Sequence, residues 1–581
     1  MRVAQEDRFF THDGTELFYR HWPAASGRGE RAIVLFHRGH EHSGRLQHLV
    51  DELDLPDVAM FAWDARGHGR SPGERGDSPS YAASVKDVDT FVRHISQRYG
   101  IAPADIVVIG QSVGAVLVAA WAHDYAPRVR ALVLAAPAFK VKLYVPFARA
   151  GLRLLHRLRG NFFVQSYVKA KFLTHDAERI RSFQTDPLIT RAISVRILLA
   201  LYDAGERVVA DAQAIGLPVQ LLVSGADWVV HQRPQHRFFE RLGSAIKEKH
   251  VLPGFYHDTL GEKDRRLAVS KVRDFILRRF AAAPQAGSLV DADRRGYTKD
   301  EMERIARPLP ALSPQALEFA LLRLSTRTLG RLSAGVRLGL ETGFDSGSTL
   351  DYVYRNEARG CLGVGRLIDR GYLDSIGWRG IRVRKQHLEQ AIEGAAARLR
   401  AAGRPVRVAD IAAGHGRYVL EAIGRLEAPP ESVLLRDTSD VNVREGAALI
   451  EAKGLARIAR FVKGDAFDEE SVAHLEPRPS IAIVSGLYEL FPENAPVLAS
   501  LRGLARALAA GGYLIYTGQP WHPQLELIAR TLTSHRGGRA WVMRRRTQAE
   551  MDDLVRHAGF EKLEQWTDEW GIFTVSLAAR A

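Results

Sequence analysis

Short apolar runs separated by amphipathic segments fill the first 280 residues. The runs at 32–36, 59–63, 106–109, 131–135 and 219–223 are continuously apolar or nearly so. Such runs, alternating with helical patterns, predict a parallel sheet wrapped by helices. Between Pro137 and Pro218 the strand pattern disappears. That stretch predicts a helical insertion over the C-terminal edge of the sheet, where substrates enter such folds. A segment of linker composition, 281–288, follows. The pattern at 299–402 is helical, with loops expected around 343–348 and 376–380. From Val406 to the end, strands and helices alternate again. The expected organisation is therefore an α/β domain over 1–282 with its lid at about 138–217, a linker over 283–298, a helical cap over 299–402, and a second α/β domain over 403–581. A chain of 581 residues exceeds a single core, which agrees with this division.

One junction in the first half carries chemistry. Gly110-Gln111-Ser112-Val113-Gly114 lies between the apolar run 106–109 and a second apolar run, 115–120. That is a strand, a tight turn and a helix with serine at the apex. Flanking glycines leave room for a turn that lifts the hydroxyl out of the sheet. The helix that follows aims its N-terminal N–H groups at the same spot. A serine nucleophile needs a base, and the base an orienting carboxylate. Asp227, after the run 219–223, and His257, after 251–256, stand in the Ser, Asp, His order expected for this fold. The loop from His37 to Arg45 fills the place of the second oxyanion donor. The donors are expected to be the N–H groups of Gly39 and Val113.

These segments, with Asp64-Ala65-Arg66-Gly67-His68-Gly69-Arg70-Ser71 and the Tyr256-His257 pair, resemble the monoglyceride lipase/lysophospholipase group of α/β-hydrolases. The resemblance covers about 280 residues. It implies Ser112 as nucleophile, Asp227 as orienter, His257 as base, and a monoacylated amphipathic lipid ester as substrate. A thioesterase, a peptidase or a small-ester hydrolase is the alternative. The group usually has His-Gly where this chain has His37-Arg38. Arg38 is a candidate contact for an anionic head group; the other reading is an ion pair with Glu41 or another nearby carboxylate.

The second alternating region opens with Asp410-Ile411-Ala412-Ala413-Gly414-His415-Gly416, a strand end and a glycine-rich turn before a helix. Asp437 ends the next strand, 21 residues after Gly416, close to the roughly 20 at which an acid meets ribose in nucleotide folds. Val419 replaces the third glycine of the dinucleotide fingerprint, so NAD is disfavoured. A further acid, Asp465, follows the third strand. Together with Gly464-Asp465-Ala466 these features resemble class I S-adenosylmethionine-dependent methyltransferases, over about 406–581. The resemblance implies a Rossmann-like fold and S-adenosylmethionine as cofactor. It implies cofactor contacts at Asp410, Ala412, Gly414, Gly416, Asp437, Thr438, Asp465, Ala466 and Ser485. Acceptor-side candidates are Tyr488 and Glu489, then Tyr516, Trp521 and His522. A binding or scaffolding module that has lost methyl transfer is the alternative for this half.

Composition narrows the setting. Hydrophobic residues make up 46% and charged residues 25%, ordinary globular values. The single cysteine, Cys361, excludes an internal disulfide and fits a reducing compartment. The first residues are charged and lack the apolar core of a signal peptide, so a cytoplasmic protein is expected. The net charge of +14 attracts phosphates on lipid or substrate. No nucleic-acid motif accompanies it, and no Cys/His cluster suggests a metal. The basic insertion after Pro137, studded with apolar residues, is read either as a surface resting on anionic membrane or as a lid closing over substrate.

Overall fold

The computed structural model describes residues 1–27, 29–166, 168–284 and 287–580. Two compact units divide the chain, Met1–Gly287 and Ser288–Ala581. Gln285 and Ala286 of the expected linker lie outside the described residues.

The first unit is built on eight strands: β1 (Gln5–Phe10), β2 (Glu16–Trp22), β3 (Ala32–Phe36), β4 (Ala59–Trp63), β5 (Ile106–Gln111), β6 (Ala131–Ala135), β9 (Val219–Ser224) and β10 (Lys247–Leu252). Their order is β1-β2-β4-β3-β5-β6-β9-β10. From β4 to β10 all pairs are parallel; β1 and β2 form an antiparallel edge. Strands β3 to β6 are buried at every residue, which is why they read as continuous apolar runs. Apolar clusters line both sheet faces. One gathers Phe36, Trp63, Phe91 and Trp121 under the helices Tyr81–Tyr99 and Val113–Tyr125. The other packs Ile33, Leu35 and Val133 against the helix Arg266–Ala281.

The insertion between β6 and β9 is mainly helical but holds a small antiparallel ribbon, β7 (Phe163–Gln165) with β8 (Ala192–Ser194). Three-residue strands are too short to display a period of two, so the sequence pattern could not reveal them.

The second unit is built on β11 (Arg407–Asp410), β12 (Ser432–Asp437), β13 (Ala459–Lys463), β14 (Ile481–Val484), β15 (Tyr513–Gly518), β16 (Phe560–Thr567) and β17 (Thr574–Arg580). Their order is β13-β12-β11-β14-β15-β17-β16, parallel as far as β15 and antiparallel beyond it. Two expectations need correction here. Residues 376–380 are not a loop: they open the helix Ile376–Ala401. Their glycines serve close approach instead, since a Cβ on Gly380 would lie 2.9 Å from the Phe573 ring. The expected linker is also shorter than 283–298. The Leu289 N–H donates to Asp553, the Val290 carbonyl accepts from Asn494, and Ala292–Arg295 is a helical turn.

Candidate functional site

Ser112 sits at the C-terminal end of β5 with φ 53° and ψ −112°, a conformation that costs a non-glycine residue about 1–3 kcal/mol. Its neighbours must be glycine. A Cβ on Gly110 would lie 2.7 Å from Ala115 Cα, and one on Gly114 would lie 2.5 Å from the His37 carbonyl oxygen. The turn is therefore clamped between its own helix and the loop after β3. Ser112 Oγ lies 2.7 Å from His257 Nε2. His257 Nδ1 lies 2.8 Å from Asp227 Oδ2. The other Asp227 oxygen accepts from the N–H groups of Val229 at 2.7 Å and Val230 at 3.0 Å. Burial alone would raise the Asp227 carboxyl. The facing imidazole and these two amides outweigh it and hold the carboxyl below the usual carboxylate range. Ser112, Asp227 and His257 are all 5% exposed or less. An imidazole so placed can take the serine proton while the carboxylate stabilises the resulting charge.

Ser112 and His257 line a cavity of about 290 Å³ that Gly39 and Val113 also line. Among the described residues neither of those two N–H groups has a partner, so both are free to bind a developing oxyanion. The loop that carries Gly39 is fixed by His37, whose Nδ1 lies 2.6 Å from the Arg38 carbonyl and whose Nε2 accepts from the Ala65 N–H. Insertion residues Leu152, Val164, Ile193, Leu198 and Leu201 supply apolar walls.

Arg38 departs from the head-group reading. Its guanidinium donates to both Glu41 oxygens, at 2.6 and 3.1 Å, and lies 3.4 Å from Asp258. Arg45 and Arg179 close the same network. The charge is compensated inside the protein and is not held ready for a substrate anion.

In the second unit, Ala412, Gly414, Gly416, Asp437, Thr438, Asp465, Ala466 and Ser485 line one cavity of about 610 Å³. Gly414 and Gly416 have φ of 57° and 72°. A Cβ on Gly416 would lie 2.4 Å from Leu435 Cδ1, so the turn admits only glycine there. Asp437 ties the turn to β12: its Oδ2 accepts from the Gly414 N–H at 3.0 Å, and its Oδ1 from Ser439 at 2.9 Å. Asp465 Oδ1 accepts from the Phe467 N–H and the residue is otherwise exposed.

Several expected contacts lie elsewhere. Asp410 does not line the cavity. It is fully buried beneath it, receiving the Tyr418 hydroxyl and the Ala412 N–H. Tyr488 donates to Ser500 Oγ and Tyr516 to Asp552, so both are committed to packing. The Trp521 ring lies under the Arg545 guanidinium. Glu489 and His522 line a separate, smaller cavity. Residues the sequence reading did not single out complete the larger one. Ser346, Gly347 and Ser348 come from the loop and helix start before the Rossmann-like sheet, and Arg384 from the long helix. The only local signal was a capping serine, Ser346, whose side chain accepts from the Thr349 N–H.

Both halves have known relatives. The N-terminal unit has an α/β-hydrolase fold, and 27–264 match the family model described as "Serine aminopeptidase, S33". The chain belongs to the family described as "Putative methyltransferase", whose model matches 272–580. It is 58% identical to protein YnbC of Escherichia coli over 100% of this chain and 99% of that one. The monoacylglycerol lipase of Mycolicibacterium smegmatis is 27% identical over 47% of this chain and 98% of its own length. The crystal structure of Paleococcus ferrophilus monoacylglycerol lipase aligns with a TM-score of 0.40 at 24% identity, covering 48% of this chain and 99% of that one.

Burial drives the Asp410 carboxyl up to about 7, with Asp437 adding to the rise against the opposing Tyr418 and Ala412 hydrogen bonds. Between the ordinary 3.8 and this value the folded chain holds more protons than the unfolded one. The stabilising contribution is complete below pH 3.8 and declines as the pH rises to about 7. Asp410→Asn is expected to remove a pH-dependent loss on the order of 2 kcal/mol from the second unit between pH 5 and 8. Urea unfolding at each pH measures it; equal slopes for both proteins would contradict it.

Proposed function

We propose that the N-terminal unit is a serine ester hydrolase for monoacylglycerol- or lysophospholipid-like esters, and that the C-terminal unit transfers a methyl group from S-adenosylmethionine. One observation carries the first half: the Ser112–His257–Asp227 chain opens on an apolar cavity flanked by two free N–H groups. Ser112 Oγ attacks the ester carbonyl while His257 Nε2 takes its proton. The N–H groups of Gly39 and Val113 hold the oxyanion. His257 returns the proton to the departing alcohol, then activates water to release the acyl group from Ser112. The apolar walls fit an acyl chain, in keeping with the lipases this unit resembles.

For the second half the cavity of about 610 Å³ and the glycine turn fit an S-adenosyl cofactor. Gly414 and Gly416 admit the methionine portion. Asp437 binds the ribose hydroxyls and Asp465 the adenine amine, the roles that the resemblance to class I methyltransferases implies for the acids after the second and third strands. The bound cofactor's sulfonium supplies an electrophilic methyl group. Rate then depends on alignment of donor and acceptor.

The insertion presents apolar side chains to solvent. Phe147 is 89% exposed and Leu158 74%, beside Tyr144, Val145 and Leu154. Arg157 and Arg159 stand on the same helix, Ala148–Arg159. This face suits contact with an anionic lipid surface. No helix among the described residues is long and apolar enough to cross a membrane.

Ser112→Ala is expected to abolish fluorophosphonate labelling and lower ester hydrolysis by about 10³-fold or more. With wild type, p-nitrophenyl esters of eight carbons or longer should exceed the acetate in kcat/KM. A preference for acetate points instead to a small-ester hydrolase. Titration calorimetry should detect S-adenosylmethionine binding that Asp437→Ala weakens about tenfold or more; no binding to wild type would leave the second unit a scaffold. Sedimentation with vesicles should rise with anionic lipid and fall with salt, and Phe147→Ser with Leu158→Ser should reduce it. Insensitivity to lipid charge contradicts the membrane contact.

A further inference from the structure

A second cavity, of about 230 Å³, adjoins the glycine-turn cavity within the same unit. Asp345, Leu350, Arg384, Gly486 and Leu490 line both, so these residues form the wall between them. The smaller cavity is largely apolar, with the rings of Phe344, Trp378, Trp541 and Phe573 among its walls. Five buried polar atoms of its lining residues have no hydrogen-bond partner: Tyr372 Oη, Arg384 Nε, Glu489 Oε2, Gln519 Nε2 and Trp541 Nε1. Glu489 is 9% exposed and Gln519 6%. Unpaired buried polar atoms are costly, and together they define what an occupant must offer. Glu489 asks for a donor; Gln519 and Trp541 ask for an acceptor.

Position singles out Glu489. It falls in the chain between Gly486 and Leu490, the two residues of the dividing wall on its own segment. Its other oxygen accepts from Thr517 at 2.8 Å, which fixes the side chain and leaves Oε2 free. Arg384 Nη1 lies 3.9 Å from that bonded oxygen, Oε1, so the carboxylate already faces a cation. A carboxylate ligand would bring a second anion against Glu489. The site therefore favours a neutral occupant over a free fatty acid.

Resting on the methyltransferase reading above, we propose that this cavity is the methyl-acceptor site, that the acceptor is a small neutral aromatic molecule bearing a hydroxyl or amino group, and that Glu489 receives its proton. The acceptor's oxygen or nitrogen forms the new bond to the methyl carbon. The electron pair of the broken carbon–sulfur bond remains on sulfur, and the acceptor's proton passes to Glu489 Oε2. Once Glu489 passes that proton on, a methylated phenol carries no donor for the restored carboxylate, which favours release.

The test uses the full chain, with 2-naphthol as probe and 2-methoxynaphthalene and octanoate as comparators. In protein saturated with S-adenosylhomocysteine, calorimetry should give tighter binding of 2-naphthol than of either comparator. Leu532→Trp, which fills the cavity, should weaken 2-naphthol at least tenfold and leave S-adenosylhomocysteine within twofold of wild type. Glu489→Gln should lower the rate of labelled methyl transfer to 2-naphthol about a hundredfold or more, with KM within threefold. Unaltered 2-naphthol binding in Leu532→Trp would overturn the proposal, as would preferential binding of octanoate. Binding of 2-naphthol without any binding of S-adenosylhomocysteine would instead defeat the methyltransferase reading, and the acceptor role with it.

Discussion

A backbone contact organises the N-terminal unit. The helix that follows Ser112 presses Gly114 against the carbonyls of Phe36 and His37, with room for a hydrogen and nothing larger. That contact ties the turn after β5 to the loop after β3. It holds Ser112 at a positive φ that the residue would not choose alone. It also brings the Gly39 and Val113 amides to the same side of the serine. The Gly39 and Val113 amides and the Ser112 turn are thus held by one packing constraint, and the parallel register β3–β5 supplies its rigidity. His257 and Asp227 follow β10 and β9, so the three residues lie along one side of the sheet, from β5 to its β10 edge.

Charged side chains close around this frame without serving it directly. Arg38, Glu41, Arg45, Asp258 and Arg179 form one buried network behind the oxyanion loop. Such a network adds little net stability over a well-packed apolar equivalent. Removing one member, however, leaves an uncompensated charge. Its consequence here is geometric: the loop carrying Gly39 cannot shift without separating ions. Arg38 is thereby an anchored side chain within the loop.

The C-terminal unit also holds a glycine turn against its sheet, here against a side chain instead of backbone carbonyls. Gly416 approaches Leu435 as Gly114 approaches β3, and Asp437 ties the turn to the next strand. The helical segment before the sheet is more than a cover. Ser346 to Ser348 wall the larger cavity, while Phe344 and Trp378 wall the smaller one. The two cavities therefore share a partition built jointly by that segment and the turn after β14.

The fold, the elbow serine and the two strand-end acids were readable from residue order, because each depends on local chemistry. Buried parallel strands show as apolar runs, and turns with positive φ demand glycine wherever they occur. The β7–β8 ribbon was too short to leave a pattern, and Gly377 and Gly380 read as a loop because their close packing against distant rings is invisible along the chain. The fate of long polar side chains was likewise undecided. Whether Arg38 meets a head group or Glu41, whether Asp410 lines a cavity or lies under it, and whether Tyr488 or Glu489 faces open space all turn on which groups fold to within a few ångströms. Local spacing encodes backbone conformation, but partners hundreds of residues apart are chosen only when the sheet and its helices have closed around them.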